Sequence, residues 1–221
     1  MSVGGDTARH MAVTHRPSIP YLVVGALSVP VLELVFRASA RGTEHVPREG
    51  GCVLAANHWS NFDPWPLGLP LFPRRYLRFM AKSELFWFPL GPFLTACGAF
   101  PVRRGERDTE AIHTAARLAR EGHVVVMFPE GTRRAKGLRK TREAKWHTGA
   151  ARIALEAGVP LVPAAIAGTE RLSRLARLSA VYGAPVDVDD LCGLPAEEAA
   201  VTATQRLRTA IEALEASLER S

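Results

Sequence analysis

The segment Asn57-His58-Trp59-Ser60-Asn61-Phe62-Asp63 sets an imidazole and a carboxylate five positions apart in a polar stretch. Imidazole titrates near physiological pH, which makes His58 the best candidate general base in the chain. A carboxylate on its other ring nitrogen would fix the tautomer and support the imidazolium formed in reaction. Asp63 can take that part only if the chain turns between them, because five positions along one helix lie on different faces. Asp63 also precedes Pro64, and Asp-Pro is a way to begin a helix, with Asp as N-cap and Pro at the first helical position. The two roles are compatible. Ser60 alone does not make a serine hydrolase, since no Gly-x-Ser-x-Gly elbow occurs anywhere in the chain.

A second polar segment, Phe128-Pro129-Glu130-Gly131-Thr132-Arg133, follows an apolar run. Gly131 permits a tight turn, from which Glu130 and Arg133 are expected to project at the sheet edge. Arg133 suits a phosphate, because guanidinium donates two parallel hydrogen bonds to it. Arg134, Lys136, Arg139, Lys140 and Arg142 come next and read as a solvated charged loop. A third basic spot is Val102-Arg103-Arg104-Gly105. The chain has no P-loop, no Gly-x-Gly-x-x-Gly and no His-Glu-x-x-His, and its other histidines lack metal-site spacing.

These segments need elements to position them. Cys52 to Ala56, Arg78 to Ala81, Ala99 to Val102, Val124 to Phe128 and Leu161 to Ile166 read as short buried strands. Pro64 and Pro66 open a helix. A further helix spans Thr109 to Arg120, with Asp108 as N-cap and Gly122 beyond its end. Trp146 to Ala157 is helical in period and is stopped by Gly158 and Pro160. Leu207, Ile211, Leu214 and Leu218 form a packing stripe on a terminal helix. Strands alternating with helices predict a layered α/β domain, a sheet with flanking helices. Each of the three polar segments then falls at a strand's end, where sites form in such domains.

The 221 residues suit one domain with a real core. Hydrophobic residues at 47% and charged residues at 23% exclude disorder as the default. A net charge of +6 and a pI near 9.7 favour anionic partners: phospholipid headgroups, phosphorylated substrates or nucleic acid. No nucleic-acid-binding motif supports the last. Cys52, Cys97 and Cys192 form no CxxC pair and no disulfide framework, which fits a reducing compartment. The apolar run Tyr21 to Phe36 is interrupted by Pro30 and Glu33 and falls short of the roughly 20 residues of a spanning helix. It reads as an interfacial or re-entrant segment that contacts a membrane. Residues 1–42 are therefore taken as a tail with a membrane-associating helical segment, and residues 43–221 as the catalytic domain.

Taken together the segments resemble the glycerophospholipid acyltransferase family, specifically bacterial 1-acylglycerol-3-phosphate acyltransferases. Its first motif, His, four residues and Asp after Asn, is matched by Asn57-His58 through Asp63. The second ends in an apolar residue, any residue and Arg, matched by Val102-Arg103-Arg104. The third, Phe-Pro-Glu-Gly-Thr-Arg, is matched in full from Phe128 to Arg133. The fourth, an apolar-Pro pair before a strand, is matched at Val159-Pro160-Leu161-Val162-Pro163. One departure stands at Trp146-His147-Thr148, where the family usually has a Lys near His147.

The resemblance implies a catalytic His58–Asp63 pair and phosphate binding by Arg104 and Arg133, helped by Lys82. It puts Glu130, Gly131 and Thr132 on the acceptor pocket. It implies an acyl-CoA or acyl carrier protein donor as co-substrate, a lysophospholipid acceptor, no metal and no other cofactor. The setting it implies is an anionic membrane surface at the cytoplasmic face, with peripheral or monotopic attachment. The expected reaction is acyl transfer to the free sn-2 hydroxyl of 1-acylglycerol-3-phosphate, forming phosphatidic acid. The alternatives are another lysophospholipid or glycolipid acceptor, a thioesterase-like hydrolase, and a non-catalytic lipid-binding relative.

Overall fold

The structure, a computed structural model, describes residues 17–102, 109–134 and 145–220. Its strands are β1 (Ser39–Arg41), β2 (Cys52–Ala56), β3 (Leu77–Lys82), β4 (Ala99–Val102), β5 (Val124–Met127), β6 (Leu161–Ala167) and β7 (Ser179–Tyr182). The α-helices among the described residues are α1 (Ile19–Pro30), α2 (Pro64–Gly68), α3 (Leu90–Ala96), α4 (Thr109–Arg120), α5 (Gly149–Ala157) and α6 (Ala196–Glu219). The strands form one sheet in the order β1-β7-β6-β2-β5-β3-β4. From β6 to β4 all neighbours are parallel, whereas β7 runs antiparallel to β6 and β1 parallel to β7.

The central strands are apolar without alternation because both sheet faces are covered. All five residues of β2 are buried. Val53 and Ala55 join a cluster with Val125, Ile153, Leu207 and Ile211, under α4, α5 and α6. Cys52, Leu54 and Ala56 join the opposite cluster with Val126, Ala164, Leu67 and Tyr182. The Tyr182 hydroxyl donates to the Leu67 carbonyl at 2.8 Å and so ties β7 to the end of α2. The parallel core strands carry their C-terminal ends to one edge, where a cleft opens.

Several elements differ from the sequence expectation: α3 was not expected, and β3 and β6 run to Leu77–Lys82 and Leu161–Ala167. The α5 helix begins at Gly149 rather than Trp146, and β5 stops at Met127 because Phe128 already starts a turn. Strands β1 and β7 were not expected, since Ser-Ala-Arg and Ser-Ala-Val-Tyr are runs of three and four residues, too short to give a periodic signal. The expected boundary after residue 42 falls just past β1, so the sheet begins before it. Asp108, the expected cap of α4, lies outside the described residues.

The apolar N-terminal run is the helix α1 continued by a π-helical turn from Val31 to Val35. The Ser18 hydroxyl accepts from the Tyr21 amide and donates to the Ala96 carbonyl at 2.6 Å, so one residue caps α1 and ties it to α3. Leu32 and Phe36 are buried against Leu178, while Ile19, Leu27 and Leu34 are 77%, 68% and 80% exposed. Among the described residues no helix is long and apolar enough to cross a membrane.

Entry to β2 depends on a close approach. A Cβ at Gly51 would collide with the Ala119 carbonyl in the last turn of α4. Gly51→Ala is expected to cost about 1–3 kcal/mol by overpacking. For a chain of this size each kcal/mol lowers Tm by about 2–4 °C, read by thermal unfolding. An unchanged Tm would show that the strand shifts freely and that this contact does not constrain it.

Candidate active site

Two turns at the ends of β2 and β5 meet in the cleft. After Ala56 the chain turns at Ser60–Asp63, with the Asp63 amide donating to the Ser60 carbonyl at 3.2 Å. That turn returns Asp63 to His58: Nδ1 lies 2.8 Å from Asp63 Oδ2. The same oxygen accepts the Trp59 and Ser60 amides at 2.7 and 2.9 Å, and Oδ1 accepts the Thr169 hydroxyl at 2.6 Å. With four donors and no solvent exposure, Asp63 is held as a carboxylate acceptor. A carboxylate only accepts, so His58 Nδ1 carries the hydrogen, and in the neutral ring the lone pair is then on Nε2. The imidazole stacks on Phe128, ring centroids 4.2 Å apart. It is 9% exposed, and its exposed part lines the cleft.

Asp63 does not act as a helix cap. It adopts helical backbone angles and makes no side-chain cap bond to α2, because both oxygens are already committed. Pro64 begins the helix without needing one.

The segment from Phe128 to Arg133 folds as a turn closed by the Gly131 amide on the Phe128 carbonyl at 3.0 Å. Gly131 has φ 65°, and a Cβ there would meet the His147 ring at 2.8 Å, so both conformation and space demand glycine. Thr132 and Arg133 are exposed and line the cleft, as does Lys82 at the end of β3. The expected projection of Glu130 is corrected. It is 1% exposed and turns inward, away from the cleft, and Gly131 likewise does not line it. Arg104 lies outside the described residues.

Glu130 turns inward because Arg134 is there. Arg134 Nε donates to Glu130 Oε2 at 2.8 Å, and Nη2 stands 2.7 Å from Oε1 as an ion-pair contact without hydrogen-bond alignment. On its other side Arg134 makes a bidentate pair with Glu215 of α6, at 2.6 and 3.0 Å. Burial pushes the Glu130 carboxyl up from its ordinary range, while the Arg134 guanidinium pulls it back down. Arg134 is thus a half-buried structural cation, not the solvated charge its basic neighbourhood suggests. Asn57 was also more than a neighbour of His58: it is fully buried and bonds both the Ile166 amide and carbonyl, at 2.8 and 2.9 Å. Thr169, Arg134 and Glu215 had no readable signal, since each acts through a partner distant in sequence.

The cleft encloses about 580 Å³ and carries Lys82 and Arg133 on its walls. Beside it lies an apolar cavity of about 420 Å³ between α1, α2 and α3, sharing Asn61, Pro64, Phe79 and Leu94 with the cleft. Tyr21 on its wall has its phenol pushed up to about 12 by burial, so that wall is uncharged. Cys52, buried at the start of β2, is likewise pushed up to about 12 by burial and is no thiolate nucleophile. Among the described residues no cluster of three or more His, Cys, Asp or Glu could hold a metal ion.

A family model described as Acyltransferase matches residues 37–167, from β1 to the end of β6. The chain belongs to the acyltransferase family. It is 34% identical over 182 residues to a 1-acyl-sn-glycerol-3-phosphate acyltransferase of Bacillus subtilis, covering 80% of this chain and 87% of that protein. A Streptococcus pneumoniae protein of the same name is 28% identical over 184 residues, covering 80% and 66%. The crystal structure of the 1-acyl-sn-glycerophosphate (LPA) acyltransferase PlsC from Thermotoga maritima superposes with a TM-score of 0.58 at 26% identity, covering 81% of this chain and 72% of that one. The matched region of the family model contains both acyltransferase turns, while Thr169 and α6 lie beyond it.

Asp63→Asn separates charge from shape in this acyltransferase. Its carbonyl can face His58 and the two amides, and its NH₂ can donate to the Thr169 hydroxyl. The expected result is a soluble, folded protein whose kcat falls about 10²–10⁴-fold. A variant with wild-type kcat would show that the carboxylate charge is not used.

Proposed function

We propose that this protein transfers a fatty acyl group from a thioester carrier to the sn-2 hydroxyl of 1-acylglycerol-3-phosphate, forming phosphatidic acid. The observation that carries the reading is His58. Its Nδ1 lies 2.8 Å from a buried carboxylate oxygen, and its ring lines a cleft with cationic walls that adjoins an apolar cavity. The phosphate and the alkyl chain of a lysophosphatidic acid acceptor have chemically matched surfaces in the cleft and the cavity. The phosphate goes to Arg133 and Lys82, and an alkyl chain to the cavity. The names of the Bacillus and Streptococcus relatives and of the Thermotoga structure agree with this acceptor.

In the proposed step Nε2 takes the proton of the acceptor hydroxyl as its oxygen attacks the thioester carbonyl. The tetrahedral intermediate collapses by expelling the thiolate, which takes the proton back from the imidazolium. Asp63 stabilises the imidazolium meanwhile. A thiolate leaves readily, so no covalent acyl-enzyme is required. Acid–base chemistry supplies about 10²–10⁴-fold, and anchoring the phosphate supplies part of the remainder by positioning. The donor is acyl-CoA or acyl carrier protein, and no metal or other cofactor takes part.

The test is thiol release from a long-chain acyl-CoA with and without lysophosphatidic acid. Release that depends on the acceptor, with a loss of about 10²–10⁴-fold in His58→Ala, is expected. Release indifferent to the acceptor would replace the transferase by a thioesterase. Release that requires a different lysophospholipid or a glycolipid would reassign the acceptor.

Membrane attachment belongs to the same proposal. The exposed apolar residues of α1 lie beside α3, which it contacts, and Trp87, Phe88 and Phe93 are 59%, 84% and 49% exposed at and just before α3. This apolar surface, with the chain's net charge of +6, suits a peripheral or monotopic seat on an anionic leaflet at the cytoplasmic face. Phe88→Ser is expected to weaken binding to vesicles containing anionic phospholipid about tenfold, from loss of one buried aromatic side chain. Co-sedimentation equal to wild type would remove this surface from the membrane contact.

A further inference from the structure

The terminal helix α6 carries an apolar stripe that packs Leu207 and Ile211 fully into the core. Glu215 stands four positions after Ile211 and eight after Leu207, so it falls on the packed face of the helix, where a carboxylate is out of place. Its side chain is only 17% exposed. A charge kept there needs partners, and both of those it has belong to the catalytic turns.

Glu215 Oε1 accepts the Asn57 amide at 2.7 Å and Arg134 Nη1 at 2.6 Å, and Oε2 accepts Nη2 at 3.0 Å. Asn57 is the residue immediately before His58. Arg134 reaches the other side of it: its backbone amide donates to the His58 carbonyl at 2.8 Å, and its guanidinium sits 5.2 Å from the Trp59 ring centroid. The Glu215 carboxylate therefore grips the backbone around His58 from both flanks, through two side chains that come from different strand ends.

We propose that Glu215 is a positioning residue for acyl transfer, holding the His58 turn and the Arg134 guanidinium in register through Asn57 and Arg134. The inference rests on the acyl-transfer reading above. The carboxylate touches no substrate, and its effect passes through the placement of Nε2. Misplacing a catalytic group by about 1 Å costs up to roughly 10²-fold. Breaking the grip therefore lowers the rate constant for transfer and leaves the binding sites for phosphate and alkyl chain in place.

The experiment compares Glu215→Gln, Glu215→Ala and the control Glu212→Gln in acceptor-dependent thiol release, with Tm measured on each. Glu212 lies one turn away on α6 and pairs with the exposed Arg208. The expected result for Glu215→Ala is a kcat lower by about 10–100-fold with KM for donor and acceptor near wild type. Glu215→Gln, whose carbonyl still accepts the Asn57 amide, recovers part of that loss. Glu212→Gln behaves as wild type. Wild-type kcat in Glu215→Gln and Glu215→Ala would overturn the proposal, as would a loss that only follows the unfolded fraction. If Glu215→Ala does not fold, the isosteric Glu215→Gln carries the test, and its kcat must fall at a temperature where it is fully folded.

A second readout needs no turnover. The His58 Nδ1 proton bonded to Asp63 gives a low-field ¹H resonance, identified by its absence in His58→Ala. Displacement or loss of that resonance in Glu215→Gln supports positioning, and an unchanged resonance overturns it. Absence of acceptor-dependent release in the wild type would instead strike the acyl-transfer reading, while the resonance still decides the role of Glu215.

Discussion

The Asp63 carboxylate is the constraint around which the site is organised. Removing an ionised carboxylate from water costs several kcal/mol unless hydrogen bonds replace its hydration. Here four donors do so: the His58 ring, the Trp59 and Ser60 amides and the Thr169 hydroxyl. Two of them are backbone groups of the turn itself. The turn between His58 and Asp63 therefore cannot open without stranding a buried charge. The His58 ring inherits its tautomer and orientation from that requirement, and the Phe128 ring stacks on it.

A second set of charges locks the neighbouring turn by the same physics. Arg134 lies between Glu130 and Glu215, so one guanidinium serves two carboxylates. Each of the three would be costly alone, and together they join the end of β5, the start of the His58 turn and the C-terminal helix. Glu130 consequently faces the interior, and Thr132, Arg133 and Lys82 line the cleft with Arg134 at its border. The division of labour is between charges that hold the frame and charges left free for an anionic ligand.

The surrounding cavity system separates two chemistries across shared walls. Asn61, Pro64, Phe79 and Leu94 border both the cationic cleft and the apolar cavity. An amphipathic molecule can place a phosphate on one side and an alkyl chain on the other with its ester region near His58. The roof of the apolar part comes from α1, so the N-terminal segment belongs to the site as well as to the protein's outer apolar surface.

Much of this was legible in the amino-acid order. The apolar run at Cys52–Ala56, the β-branched run at Val124–Phe128 and the Pro and Gly stops around them mark buried strands, because a strand covered on both faces shows no polar alternation. The five-residue spacing of His58 and Asp63 demanded a turn, and Gly131 marked another. What the sequence could not convey is which charges meet. Arg134 reads as one more basic residue in a basic run, and Glu215 as one acid among several on a terminal helix. Glu130 reads as a projecting carboxylate, and Asn57 as a companion of His58. Their roles come from contacts spanning up to 158 positions of the chain, and no local propensity encodes a partner at that distance. Local pattern determined the central strands, the longer helices and the turn that His58 and Asp63 require. Only the folded sheet, by bringing β2, β5, β6 and α6 to one edge, decided which charges are buried as structure and which remain open to a ligand.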